Sequence, residues 1–160
     1  MEIWDIYTID RIKTGRTIVR GEKLQIDDYH LVVHIWIQNS QGEYLIQKRA
    51  GHLTWMPNMW ATTGGAVISG EDSLQGVIRE TEEELGVKIE ENDLKLLFTQ
   101  IRGKDISDIY LTQLNLPITA YKFEVKDMSE IRYVSKSELF KMIEAKEFVD
   151  YGEEYLAYFK

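Results

Sequence analysis

The sequence predicts a mixed chain of α/β or α+β class, and three observations carry that prediction. β-branched and aromatic runs return on themselves around turn signals, as in residues 29–38 (YHLVVHIWIQ), Asn39-Ser40-Gln41-Gly42 and residues 43–49 (EYLIQKR). A single strongly helical stretch lies mid-chain, where Leu74, Val77, Ile78, Thr81 and Leu85 recur at three-and-four spacing. A second helix signal, Ser135 with Glu138 three residues on, follows the last strand-like run. Strands in hairpins with helices on both sides are one layered architecture.

Taken in order, residues 3–8 (IWDIYT) alternate as a short strand, and Asp10 to Gly15 is polar and turn-like. Residues 16–27 are charged and ambiguous. Arg16, Arg20 and Lys23 there read as solvated surface, with a phosphate-facing arm as the alternative. The hairpin of residues 29–49 follows, and on its second strand Gln47 and Arg49 share a face while Lys48 points away. Residues 50–59 form a loop around Pro57, between Ala50 and the WATTGGAV strand that starts at Trp60. Paired glycines in that strand allow close backbone approach or positive φ. Asp72 with Gln75 caps the helix of about residues 73–85, and Gly86 stops it. Strands are expected at 93–100, 106–115, 118–125 and 131–134, then a helix to about residue 145. Phe148, Tyr151, Tyr155 and Phe159 stand at helical spacing and read as core.

The length of 160 residues suits one domain, residues 1–160, with no repeat or linker. There is no cysteine, which removes disulfides, thiolate metal sites and cysteine nucleophiles together. The N-terminus lacks a basic start with an apolar core behind it, and no apolar run reaches spanning length. The expectation is a soluble cytoplasmic protein with no membrane partner. A net charge of -8 argues against a general nucleic-acid binder.

The chemistry concentrates between Gly65 and Val87, GAVISGEDSLQGVIRETEEELGV. Glu80, Glu83 and Glu84 stand at i, i+3 and i+4, one acidic patch away from the apolar stripe. Like charges so placed repel by a few tenths of a kcal/mol per pair, roughly, so something positive should offset them. A hard divalent cation suits three carboxylates.

The stretch resembles the Nudix box, the signature of the Nudix hydrolase superfamily: Gly65, Glu71, Arg79, Glu80, Glu83, Glu84 and Gly86 all fill its fixed positions. Thr81 stands where a bulkier aliphatic residue is usual, and the likeness runs from about Tyr29 to Tyr133. The resemblance implies an α/β/α sandwich on a mixed sheet, with the box as loop–helix–loop. It implies hydrolysis of a diphosphate linked to another group, a small-molecule or nucleotide substrate, and Mg²⁺ as cofactor with Mn²⁺ as substitute. By position, Glu80, Glu83 and Glu84 would bind metal, and Arg79 would hold Glu71 by a forked ion pair. Gly65 would supply backbone near the site. Glu80 or Glu83 could polarise the attacking water. A distal acid is expected from a later segment, Asp127 first and Asp108 as its competitor. Arg49 is a candidate phosphate contact, and Trp55, Trp60 and Tyr110 are candidate stacking partners. The family often dimerises, so a homodimer is among the expectations.

Two other readings stand beside this one. His30, Arg49, Pro57 and Trp60 also fall where isopentenyl-diphosphate isomerase, a relative on the same fold, has matching residues. That enzyme's Cys-Gly-His turn is here Gly64-Gly65-Ala66, which removes its cysteine and one metal histidine. The other reading is a non-catalytic sensor of a nucleotide derivative. No basic helix-turn-helix segment is visible to accompany it.

Overall fold

The hairpin around Asn39–Gly42 is the spine of the sheet. The computed structural model describes residues 1–159; Lys160, the last residue of the expected domain, lies outside the described residues. Strand β3 (His30–Gln38) and strand β4 (Tyr44–Arg49) are antiparallel and in register at Gln38 and Tyr44. Beyond that pair each strand takes other neighbours. β3 pairs antiparallel with β6 (Thr63–Ala66) and parallel with β8 (Asp105–Gln113). β4 pairs antiparallel with β5 (Trp60–Ala61) and β9 (Met128–Val134). β7 (Lys95–Arg102) closes the far edge against β8. The sheet is therefore mixed, and it splits where β3 and β4 part company.

Alternation along β3 sorts the two faces. Leu31, Val33, Ile35 and Ile37 pack with Val77 and Leu85 of helix α1 (Ser73–Leu85). Trp36 faces the other way, into an aromatic layer with Phe148, Tyr151, Tyr155 and Phe159 and with Leu139 and Met142 of helix α2 (Lys136–Glu144). Tyr155 belongs to the short helix α3 (Glu153–Ala157). This is the expected α/β/α sandwich. Among the described residues no helix is long and apolar enough to cross a membrane.

Helix α1 begins and ends where its sequence says. The Asp72 side chain accepts from the Gln75 N–H while the Gln75 side chain accepts from the Asp72 N–H, a complete capping box. Gly86 turns left-handed at φ +66° and its N–H donates to the Glu82 carbonyl at 2.9 Å. Ser135 caps α2 by accepting from the Glu138 N–H.

The structure departs from expectation in three segments. The expected first strand, β1 (Ile3–Tyr7), is present, but it pairs in a hairpin with β2 (Lys13–Val19), which starts inside the expected turn and runs into the ambiguous segment. Its polar exposed face hid the strand periodicity. Arg16 pairs with the buried Asp28, away from the cleft that opens where the sheet splits, whereas Arg20 pairs with Glu2 at the cleft's exposed rim. Residues 118–125 contain a 3₁₀ turn (Ile118–Ala120) instead of a strand, entered through Pro117 and followed by Lys122 N–H donating to the Leu85 carbonyl at the helix end. In the aromatic tail the helix is confined to α3. Phe148 is extended and bridges to Trp60, although all four aromatics are buried as expected.

Candidate active site

A cleft of about 940 Å³ opens where the sheet splits. β3 and β6 form one wall, through His34, Gly64 and Gly65. β4 forms the other, through Gln47 and Arg49. Helix α1 presents Glu80, Glu83 and Glu84 from below, and Asp127 arrives from the loop before β9. Of the residues singled out from the sequence, Gly65, Arg79, Glu80, Glu83, Glu84, Asp127, Arg49 and Trp55 all reach this cleft.

Arg79 organises the acids. Its Nε and Nη2 donate to Glu71 Oε1 and Oε2 at 2.9 and 3.1 Å, the forked pair that the resemblance implied. Its Nη1 donates to Glu80 at 2.8 Å and to Glu83 at 3.0 Å, and Nη2 also donates to the Ala66 carbonyl. Burial works against the guanidinium charge, but the bonds to Glu71 and Glu80 outweigh it and hold Arg79 protonated. So the repulsion between Glu80 and Glu83 is relieved from within the chain, by an arginine, where the sequence alone suggested an ion. As the side chains lie, no three acidic or histidine residues among those described stand at ion-holding spacing.

Glu84 has a different environment. It accepts from the Gln47 amide at 3.1 Å and from the Gly64 N–H, both neutral donors. Burial pushes its carboxyl up to about 7. The Glu80 charge adds to that rise, and the Gln47 bond opposes it. Burial likewise raises Glu80, against the pull of Arg79. Gly65 is required by contact: a Cβ there would sit 2.3 Å from the Glu80 carboxyl carbon. The glycine lets that acid lie against the strand backbone.

On the β4 side Arg49 donates through Nε to the Trp55 carbonyl at 2.9 Å, with its guanidinium 4.7 Å from the Trp55 ring centroid. Burial depresses its pKa. On the β3 side His34 is held by Tyr155, its Nδ1 lying 3.0 Å from the phenol oxygen, and burial pulls the imidazole down to about 4. His30 is bound to Asp105 through Nε2 at 2.8 Å and stacked flat on Trp4 at 4.2 Å.

Three expectations fail in position. Tyr110 is buried in the core and hydrogen-bonded to Ser73, facing away from the cleft. Trp60 is buried in the aromatic layer under the Arg132 guanidinium, 4.6 Å from its ring centroid. Asp108 is buried beside Arg11, Ser73 and Thr99, so of the two distal acids only Asp127 faces the cleft. Aromatic residues and acids carry no sequence mark separating core from site, and that is why these were misplaced. Conversely, His34, Tyr151 and Trp4 line the cleft without any motif to announce them, while Gln47 was visible only as a face-mate of Arg49.

A split mixed sheet whose box helix aims acids at the gap defines the class: an α/β/α enzyme of the Nudix fold. The comparisons carry this to the family. The NUDIX domain model matches residues 28–156, and the chain belongs to the Nudix family. An uncharacterised Nudix hydrolase of Listeria monocytogenes is 33% identical over 152 residues, 94% of this chain and 90% of its own. Nudix hydrolase 3 of Arabidopsis thaliana is 30% identical over 151 residues, 86% of this chain but 20% of its own. Among solved structures, a Deinococcus radiodurans protein superposes with TM-score 0.80 at 24% identity over 93% of both chains. The NUDIX domain of Shewanella oneidensis NrtR, crystallised with ADP ribose, gives TM-score 0.57 at 16% identity over 79% and 83%. These two likenesses are of fold. The protein is thus a Nudix pyrophosphohydrolase, in a family that generally uses divalent metal ions.

Proposed function

We propose that the chain hydrolyses a diphosphate linked to a second group, by attack of water on phosphorus, with Mg²⁺ as cofactor and Mn²⁺ as substitute. The residues present fit such an ion by their chemistry: every candidate donor is a carboxylate oxygen, and Glu84 is a half-buried acid held by neutral donors. Glu80, Glu83, Glu84 and Asp127 would hold it, and when bound it would screen the phosphate oxygens and make water more acidic. Arg79, fixed by Glu71, keeps Glu80 and Glu83 gathered on the cleft side of α1. Either of these could take the proton as the water oxygen bonds to phosphorus and the bridging P–O bond breaks. Arg49, which lines the opposite wall, would meet a phosphate oxygen. Much of phosphoryl-transfer catalysis is such positioning and charge neutralisation.

The observation that carries this reading is Glu84: a cleft acid held by neutral donors, beside two acids already gathered by Arg79. Small-molecule nucleotides are the substrate class, and ADP ribose belongs in the first panel because the Shewanella domain was crystallised with it. The test is phosphate and nucleoside monophosphate release from nucleoside triphosphates, nucleotide sugars, dinucleoside polyphosphates and ADP ribose, with Mg²⁺ or Mn²⁺. Cation-dependent turnover of at least one member supports the reading. No release from any member, with the protein folded, would leave a nucleotide-binding sensor as the better account.

A further inference from the structure

The β4 wall carries a hydrogen-bond chain that ends on Glu84. Thr63 Oγ1 donates to Gln47 Oε1 at 2.8 Å, and Gln47 Nε2 donates to Glu84 Oε2 at 3.1 Å. Thr63 and Gln47 are 2% and 4% exposed, so water is not available as an alternative partner. The direction of the chain follows from the chemistry of an amide. A glutamine has one end that only accepts and one that only donates. Flipped, it would aim a carbonyl oxygen at a carboxylate, acceptor against acceptor. The Thr63 hydroxyl, by giving its proton to Oε1, fixes the orientation in which the NH₂ faces Glu84.

The geometry points to Thr63 and Gln47 as positioning residues for a cation held at Glu84. This rests on the metal-dependent reading above and adds to it the residues that aim the ligand. The reason lies in the charge of the donors. Arg79 orients Glu80 and Glu83 but also cancels part of their charge. Gln47 and the Gly64 N–H orient Glu84 without cancelling any, and so leave its charge for a divalent ion. A lysine at this position would aim the carboxylate equally well and neutralise it. The next two residues of the strand, Lys48 and Arg49, are cations. The neutral one occupies the place that touches the acid.

The experiment measures Mn²⁺ binding to the full chain by electron paramagnetic resonance, alongside thermal unfolding. Gln47→Leu should weaken Mn²⁺ by about 10- to 100-fold, the range for loss of a partner that orients a ligand. Thr63→Val, which keeps shape and loses the hydroxyl, should weaken it by a smaller factor, and Thr63→Ser should return it to the wild-type value. The Thr63 pair decides the matter even if Gln47→Leu folds poorly. Wild-type affinity in folded Thr63→Val, or the same loss in Thr63→Ser as in Thr63→Val, overturns the inference while leaving the hydrolase reading standing. Absence of Mn²⁺ binding by the wild-type protein itself overturns both. Raising Mn²⁺ should restore turnover in Thr63→Val, a recovery that simple damage to the core would not show.

Discussion

Two carboxylates flank helix α1 under opposite electrostatic conditions. Asp108, beside the helix's first residue, accepts from Arg11 at 2.7 and 2.5 Å, from Ser73 at 2.5 Å and from Thr99 at 2.6 Å. Burial alone would raise its pKa, but those donors, Arg11 foremost, hold it below the ordinary aspartate value. Glu84, in the last turn, receives only neutral donors and is pushed up to about 7. Both are acids in an acidic protein, and both were candidates for the same site from sequence. The difference teaches where charge is used. A carboxylate saturated by a guanidinium and hydroxyls fixes structure and has nothing left to offer a ligand. One that is oriented but not neutralised is poised for a cation.

The comparison breaks most visibly on the cleft side. Glu83→Gln removes a ligand charge at nearly constant shape, and kcat/KM should fall on the order of 10³-fold, several kcal/mol of barrier, with the circular dichroism spectrum unchanged. Full, still metal-dependent activity in that variant would remove Glu83 from the site. Gly65→Ala comes next. Its methyl would meet the Glu80 carboxylate at 2.3–2.5 Å, so that acid must shift, and turnover should drop about 10²-fold, the effect of roughly 1 Å of misplacement. Steady-state kinetics beside a melting curve separates this from unfolding.

On the other flank the expected loss is of stability. Asp108→Asn leaves Arg11 without its charge partner, and because Arg11 is 39% exposed it can partly return to water. The cost should be about 2 kcal/mol by urea unfolding, with kcat of the folded enzyme unchanged. A fall in kcat instead would bring Asp108 back as a site residue.

An effect of similar size, seen only at acid pH, is sought at His34, on the sheet face away from α1. Its folded pKa is about 4, against 6.5 for the free side chain. As pH falls below 6.5 the unfolded chain takes up a proton that folded His34 refuses. Its contribution is therefore complete above 6.5 and is lost between 6.5 and 4. The loss should amount to about 2.5 kcal/mol at pH 4.5 and be absent from His34→Gln. Equal pH slopes for the two proteins would show that the imidazole is solvated.

Much of the fold and of the site is legible in the order of the amino acids. The capping box at Asp72, the stop at Gly86, the hairpin at Asn39–Gly42 and the acid spacing of the box are local patterns, written within a few residues. The Arg79–Glu71 fork spans only eight positions and follows from the box. What failed was whatever depended on distant neighbours. Tyr110 and Trp60 look like stacking partners until the sheet buries them. The β1–β2 hairpin is too polar on its open face to show a strand period, yet it brings Glu2, Trp4 and Arg20 to the cleft. Asp127 stood ahead of Asp108 by position alone, but only the folded chain shows which of them faces the cleft, since which loop meets the split is set by pairings such as Ile46 with Arg132.

The amino-acid order alone determined the helix of the box, its ends, the acids on one of its faces and hence the family. These depend on interactions within one or two helical turns, where spacing along the chain is spacing in space. Tertiary structure alone decided which acids remain unneutralised. Arg11 lies 97 positions from Asp108 and Gln47 lies 37 from Glu84, separations over which sequence proximity says nothing and only the closing of the sheet brings a donor to a carboxylate.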